Sequence, residues 1–487
     1  MARTKKTQQT NNIILFRDCK PLSKDETIEE KKVNEWLFSD SNSLTTSSQR
    51  LLEIIIKKLQ DDNGQSIDLG FNKKIDKDDK ILYRPKESFA NFDTWAGGRY
   101  VGEATIKLTD DDLLPYSKDI QKEFKTYIET PIRLVIHPRF GTPFLCHMLE
   151  EIYNFKMPES AMQNGEGVVW NKFYQLILRQ LWIAKFAKAD KYGLPRQTVK
   201  RTHQGMQIHG HLNVRKSILP FFTKKEVVSE YREKEVDDTI GRIVYKAYDI
   251  LADKKTGLHG LPPQVQESIN DLYSRYHGQQ IKITEHDYQS IRYKSIYVSW
   301  KPLVDFSWQI IKHRGYNPEQ SIDEQGYGLF FDMAEIWEAY IGKILEKEFV
   351  HCTEQNSNIK LFENEREKEF QKIIPDYLSR NWTNEKEPAV GDAKYMNLAG
   401  KEILQGEQTY SVYYKTIMYM YRFSSKKGFI FFPMEHDDSA KTVQEFKIAG
   451  GMKGTFYKIG MKVPETYKDY VTAEENFRND VFGKLLI

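Results

Sequence analysis

Ile373-Ile374-Pro375-Asp376 is followed, across a polar stretch at 381–388, by Ala389-Val390-Gly391-Asp392-Ala393-Lys394. Ile373 and Ile374 suit a short strand, residues 381–388 a hairpin-like connection, and Ala389-Val390 a second strand running into Asp392. Two strands meeting in this way bring Asp376 and Asp392 to adjacent positions. Paired carboxylates offer hard oxygen ligands to a divalent cation such as Mg2+. Lys394 stands two residues beyond Asp392 and so on the same side of an extended strand. From there its ammonium can orient, or help deprotonate, a water attacking a phosphodiester. The competing reading is an ordinary hairpin with exposed charges.

The order Pro-Asp, then Asp-x-Lys, is that of the PD-(D/E)xK metal-dependent nucleases, and no other segment reads as a complete catalytic centre. The expected fold class is α/β: a C-terminal PD-(D/E)xK domain at 291–487, with a mixed sheet flanked by helices, preceded by an α+β region. Upstream of the motif, Phe330-Phe331-Asp332-Met333 leads into a helix expected at 334–350. Trp337, Ile341, Ile344 and Leu345 can bury one stripe of it. Glu335 and Glu338 fall on neighbouring turns. If that stripe packs on the sheet, Glu338 can reach the metal region as a third carboxylate; a solvated glutamate flanking the core is the equal alternative. Downstream, 410–423 reads as an aromatic-rich covering helix and 429–432 as a strand. Tyr414 and Lys415 in that helix are candidates for phosphate contact, although aromatic helical stripes more often pack.

A chain of 487 residues exceeds one typical core, so two or three domains are expected. Hydrophobic residues make up 40% and aromatics 13%, which supports folded domains over extensive disorder. Lys and Arg number 72 against 69 Asp and Glu. Such balance does not single out a nucleic-acid binder, although a local basic groove is compatible with it. Cys19, Cys146 and Cys352 are far apart and lack zinc-ligand spacing, which fits a reducing cytoplasm. No signal-peptide core follows the basic start and no apolar run is long enough to span a bilayer, so a soluble protein with no membrane partner is expected. No G-x-x-x-x-G-K-[ST] loop occurs, and Gly450-Gly451-Met452-Lys453-Gly454 reads as a turn. Nucleotide hydrolysis, if it accompanies the activity, must come from another chain.

Residues 1–90 read as a separate leader, with a helix at 51–59 and a turn at 60–65. Residues 91–290 read as a mixed α+β connecting region. Strand-like composition at 100–102 and 133–136 is followed by helices at 144–153, 168–189, 237–251 and 263–276. Gly193-Leu194-Pro195 stops the long helix. His209 and His211 can share one strand face, but no nearby Cys, Asp or Glu completes a metal set, and His203 joins only if the chain folds back. Polar strand positions facing solvent, or a phosphate-contacting surface with Arg215 and Lys216, are the stronger readings.

Across most of its length the chain resembles the McrC family of the 5-methylcytosine restriction systems. The likeness is carried by Phe331-Asp332-Met333 with Trp337-Glu338-Ala339-Tyr340, by Pro375-Asp376, and by Asp392-Ala393-Lys394-Tyr395. Earlier it is carried by Ala96-Gly97-Gly98-Arg99-Tyr100-Val101-Gly102, Ile136-His137-Pro138-Arg139-Phe140 and Gly193-Leu194-Pro195-Arg196. Asp238-Thr239-Ile240-Gly241-Arg242 is similar to the family's Asp-Thr-x-x-Asn-Arg, with Gly241 in place of asparagine. His211, Asn213 and Lys415 also depart from the family's usual arginine, aspartate and glutamine.

The resemblance implies a Mg2+-dependent endonuclease subunit acting on double-stranded, methylated DNA. Its partner would be an McrB-like AAA+ GTPase that it binds and stimulates. Asp376 and Asp392 would hold the metal, Lys394 would be the catalytic lysine, and Glu338 would match the acidic residue of the preceding helix. Residues 91–290 would serve partner docking. Two alternatives stay open: a structural activator of the motor without cleavage of its own, and a nuclease of another DNA-processing defence system.

Overall fold

The computed structural model describes residues 13–28, 31–39, 43–61, 65–66, 81–83, 95–156, 170–252, 258, 261–312, 327–352, 360–363, 369–380, 388–396, 398, 407–449 and 453–486. The expected turns at 60–65 and 450–454, and the connection at 381–388, lie largely outside these residues. The fold is mixed α/β. The chain forms two compact units, one built from 1–173 and 321–487, the other from 174–320. No helix among the described residues is long and apolar enough to cross a membrane.

Among its described residues the first unit contains three two-stranded ribbons and two large sheets, of five and six strands. One is assembled from β1 (Ile13–Arg17), β2 (Gln65–Ser66), β3 (Tyr100–Ile106), β4 (Ile132–His137) and β5 (Tyr327–Asp332), in the order β1-β4-β3-β5-β2. β1 runs parallel to β4, and β3 is antiparallel to both β4 and β5. Alternation sends Ile14, Phe16, Leu134 and Ile136 into a core shared with Leu51, Leu52 and Ile55 of helix α1 (Thr46–Asp61). The outer edge of β1 is covered by a side chain. Asn34, fully buried, accepts from the Leu15 N–H at 2.9 Å and donates to its carbonyl at 2.7 Å. The amide thereby supplies the pairing a neighbouring strand would give. β4 leads into helix α2 (Gly141–Tyr153).

β5 passes directly into helix α3 (Met333–Ile344), capped by Asp332, whose carboxylate accepts from the Ala334 N–H at 2.9 Å. The second sheet follows: β6 (Phe349–His351), β7 (Tyr377–Ser379), β8 (Ala389–Ala393), β9 (Lys427–Met434), β10 (Val443–Lys447) and β11 (Thr455–Lys462), in the order β6-β7-β8-β9-β11-β10. β8, β9 and β11 are parallel neighbours, while β6, β7 and β10 pair antiparallel. Helix α4 (Glu407–Arg422) makes the crossover from β8 to β9 and covers one face through Val412, Tyr419 and Met420 against Val390, Ile430 and Phe432. The opposite face holds Tyr377 and Phe429 packed on Phe431, which in turn meets Phe477 of helix α5 (Tyr470–Leu486).

The divisions expected at 90 and 290 do not coincide with those of the structure. Residues before 90 supply β1, α1 and β2, and β5 pairs with both β3 and β2. The apolar run Ile13–Phe16 needs neighbours on both edges and faces, which a leader alone cannot provide. The helix expected at 334–350 ends at Ile344, because Phe349–His351 is drawn off as an edge strand paired with β7.

The second unit is helical at its core, with Asp238–Leu251 packed between Pro263–Tyr276 and Lys301–Lys312. The indole N–H of Trp182, on helix Trp170–Ala189, donates to Ser307 Oγ at 2.9 Å. A long hairpin, Arg196–Gly205 against Val227–Val236, carries His211–Leu212 on its edge and the short helix Val214–Lys224. Val214, Leu219 and Phe222 of that helix are well exposed.

Candidate active site

β7 and β8 pair antiparallel with Tyr377 opposite Gly391 and Leu378 opposite Val390. Continuing this register by one residue sets Asp376 across from Asp392, and directly opposed positions hold their Cβ atoms about 4.5–5.5 Å apart. The expected strand at Ile373-Ile374 is not formed. The strand Glu369–Lys372 pairs with Lys360–Glu363 instead, and Pro375, which has no N–H to donate, separates it from β7. Asp376 therefore stands at the mouth of β7 rather than inside a strand. Gly391 leaves room for the ring of Phe431 from β9. A Cβ there would lie 2.8 Å from the Phe431 ring.

The acidic pair is tied to the backbone around it. One Asp376 carboxylate oxygen accepts from the Ala393 N–H at 2.8 Å, and the Asp376 carbonyl accepts from the Cys352 N–H at 2.8 Å. Asp392 is 1% exposed and forms an ion pair with the Lys394 ammonium. Lys394 also donates to the Ala393 carbonyl at 3.1 Å, and its backbone N–H reaches the Phe431 carbonyl at 2.8 Å. The same carbonyl accepts from the Trp337 indole of α3 at 3.2 Å. Asp376, Asp392 and Lys394 thus meet at one place.

Glu338 reaches the same neighbourhood but is otherwise engaged. Its carboxylate meets His351 Nε2 at 3.0 Å, and its carbonyl accepts from the Tyr377 hydroxyl. Its charge nonetheless acts on Asp376. Burial pushes the Asp376 carboxyl well above the usual carboxylate range, and Asp392 and Glu338 push it further, with Lys394 only partly offsetting them. At Lys394 burial favours the neutral amine, yet Asp392 and Asp376 outweigh it and hold the ammonium above the usual lysine range. Burial, with Asp376 beside it, lifts the Cys352 thiol to about 12. Tyr419, on α4, is also raised, by burial first and then by the three carboxylates.

Three carboxylates against one ammonium leave a surplus of negative charge in a buried place, and this donor chemistry fits a hard divalent cation. Among the described residues no group of three His, Cys, Asp or Glu is placed to hold a metal ion. A cation bound at this place would have two carboxylates as its protein ligands and solvent for the rest. Asp376 and Asp392 are the residues that would hold it.

Sequence reading missed His351, Tyr377 and Cys352, which come to the acidic residues through strand pairing. It also missed Lys458, fully buried on β11, whose Nζ donates to the Leu398 carbonyl at 2.8 Å. Register places Asp392, Ile430 and Lys458 in one row across β8, β9 and β11. His209 and His211 lie in the second unit, exposed to solvent, with the His203 ring 4.3 Å from that of His209. Tyr414 and Lys415 are exposed on α4.

A family model described as McrBC 5-methylcytosine restriction system component matches residues 121–433. Among solved structures, a chain of a half-complex from a tetradecameric assembly of Thermococcus gammatolerans McrB AAA+ hexamers with bound McrC matches with a TM-score of 0.51. Identity is 15%, over 97% of this chain and 99% of that one, a likeness of fold. A chain of the Thermococcus gammatolerans McrBC complex, also 15% identical, matches at a TM-score of 0.32 over 69% of this chain and 87% of that one. No curated protein matches the chain.

Proposed function

The chain belongs to the family of McrBC 5-methylcytosine restriction system components, and from that premise we propose that it is the Mg2+-dependent DNA endonuclease subunit of a modification-dependent restriction complex. The observation that carries this is the opposition of Asp376 and Asp392 across β7 and β8, with Lys394 ion-paired beside them. The second sheet, with helices on both faces, is read as a PD-(D/E)xK domain. When bound, Mg2+ would supply Lewis-acid activation of the scissile phosphate and its attacking water. Asp376 and Asp392 would hold the ion. Lys394, whose side chain is 23% exposed, is open to solvent where Asp392 is not. Its ammonium orients the water and screens charge developing on the phosphate. Glu338, linked to His351, adds negative potential from the edge.

An AAA+ partner is assigned on two grounds. The solved relative of like fold belongs to an assembly of McrB AAA+ hexamers with bound McrC, and this sequence has no phosphate loop of its own. The second unit offers a surface for such a partner. Met206, Ile208, Val214, Leu219 and Phe222 cluster on the hairpin and its short helix, and all are exposed. No base-reading module is recognisable, so choice of methylated target falls to the motor. This chain alone should bind methylated and unmethylated duplexes with similar affinity.

The decisive variant is Lys394→Ala in the full chain assembled with its GTP-hydrolysing partner and methylated duplex DNA. Cleavage should be lost while stimulation of GTP hydrolysis persists. Undiminished cleavage would remove Lys394 from the chemistry. A wild-type complex that stimulates the motor but never cuts would favour the structural-activator reading.

A further inference from the structure

Lys394 sits where the sheet stops holding the chain. Its N–H makes the last hydrogen bond of β8 to β9, at the Phe431 carbonyl, and the next residue leaves the sheet. That residue, Tyr395, is 6% exposed and is gripped by the first sheet of the same unit. The Arg139 guanidinium lies over the Tyr395 ring at 4.4 Å and over the Phe140 ring at 4.7 Å. Phe140 meets Tyr395 edge-on at 6.2 Å, and Trp337 closes another side at 6.5 Å. The Tyr395 carbonyl receives the Cys19 thiol at 3.9 Å. Arg139 is in turn fixed by Asp18, which is fully buried just past the end of β1 and accepts from the Arg139 backbone N–H.

A buried arginine is an uneconomical way to fill space, because an apolar side chain of similar volume packs without the cost of desolvating charge. Here Nε and Nη2 of Arg139 find no hydrogen-bond acceptor among the described residues. What its planar group does find is two aromatic faces, the geometry of cation–π stacking. The stack sits one residue from the ammonium whose placement sets the chemistry.

We propose that Arg139, stacked on Tyr395 and anchored by Asp18, is a positioning residue for Lys394, so that the first sheet sets the geometry of the cutting site. The proposal rests on the nuclease reading. Asp18 and Arg139 extend from the ends of parallel β1 and β4, and Tyr395 transmits their position through one peptide to Lys394. Further along, Lys458 holds Leu398, so the segment leaving β8 is pinned at both ends.

Single-turnover cleavage by the full chain assembled with its AAA+ partner, DNA and Mg2+ tests this. Arg139→Ala and Tyr395→Leu should lower the cleavage rate about 10- to 100-fold, the scale of an ångström-sized misplacement. The DNA concentration for half-maximal rate should stay within about 2-fold, and motor stimulation should persist. Tyr395→Phe, which keeps the ring, should cut at close to the wild-type rate. Wild-type cleavage by Arg139→Ala and Tyr395→Leu, beside an inactive Lys394→Ala, overturns the positioning role and leaves the nuclease reading standing. Parallel loss of cleavage and motor stimulation marks a merely structural role and overturns it too. Wild-type cleavage by Lys394→Ala overturns the nuclease reading, and the proposal with it.

Discussion

Asp376 is the residue at which function and stability oppose each other. Its carboxyl is raised in the folded chain by burial and by Asp392 and Glu338. A raised carboxyl binds its proton more tightly folded than unfolded, so its contribution is fully present at acid pH. It is lost as pH climbs from the ordinary carboxylate range through the raised folded value. Asp376→Asn should therefore raise the melting temperature of the metal-free chain at pH 7 by about 1–3 °C, and the gain should vanish towards pH 4. A lower melting temperature at pH 7 would contradict this. Gly241, where the family has asparagine, has a different cause: a Cβ there would stand 2.6 Å from the Tyr276 hydroxyl. Gly241→Ala should destabilise the chain by about 1–3 kcal/mol in denaturant unfolding. Asp376, Asp392 and Lys394 were legible because a two-residue strand period puts a lysine beside its carboxylate. His351 and Arg139 were not, because only tertiary pairing and packing bring them there.

Among the elements, those with strong periodicity and clear stops read well from sequence. The helices at Asp238–Leu251 and Pro263–Tyr276 and the strand Lys427–Met434 lie where their patterns place them. Ile373-Ile374 misled because an apolar pair before proline fits a strand end or a buried coil equally, and here Ile373 is buried coil. The long exposed hairpin of the second unit carries no alternation to announce it. Its apolar helix Val214–Lys224 leads to an element-scale prediction. Leu219→Asp and Phe222→Asp should change folding stability by no more than about 0.5 kcal/mol, since both are exposed. Stimulation of the motor should weaken about 10-fold or more if these side chains anchor the partner. Unchanged stimulation would move the docking surface elsewhere.

The whole molecule interleaves its parts in a way local patterns do not encode. Strands from 13–17 and 327–332 share one sheet, and the compact unit 174–320 interrupts the other. Ending the chain at 290 removes β5, which stands between β3 and β2, and exposes an apolar strand edge. Such a fragment should unfold less cooperatively than the full chain when followed by circular dichroism, whereas 174–320 should melt as a unit. Within the first unit, Asp18 and Arg139 reach the end of β8, so the proposed cutting site should need that unit intact. The most direct test of that site is cleavage of methylated duplex DNA by the assembled complex, with Mg2+ titrated against chelator, for the wild-type chain and Asp392→Asn. Cutting that rises with Mg2+, stops on chelation and is absent in Asp392→Asn is the result expected. Asp392→Asn cutting at the wild-type rate, or wild-type cutting indifferent to divalent ions, would contradict it.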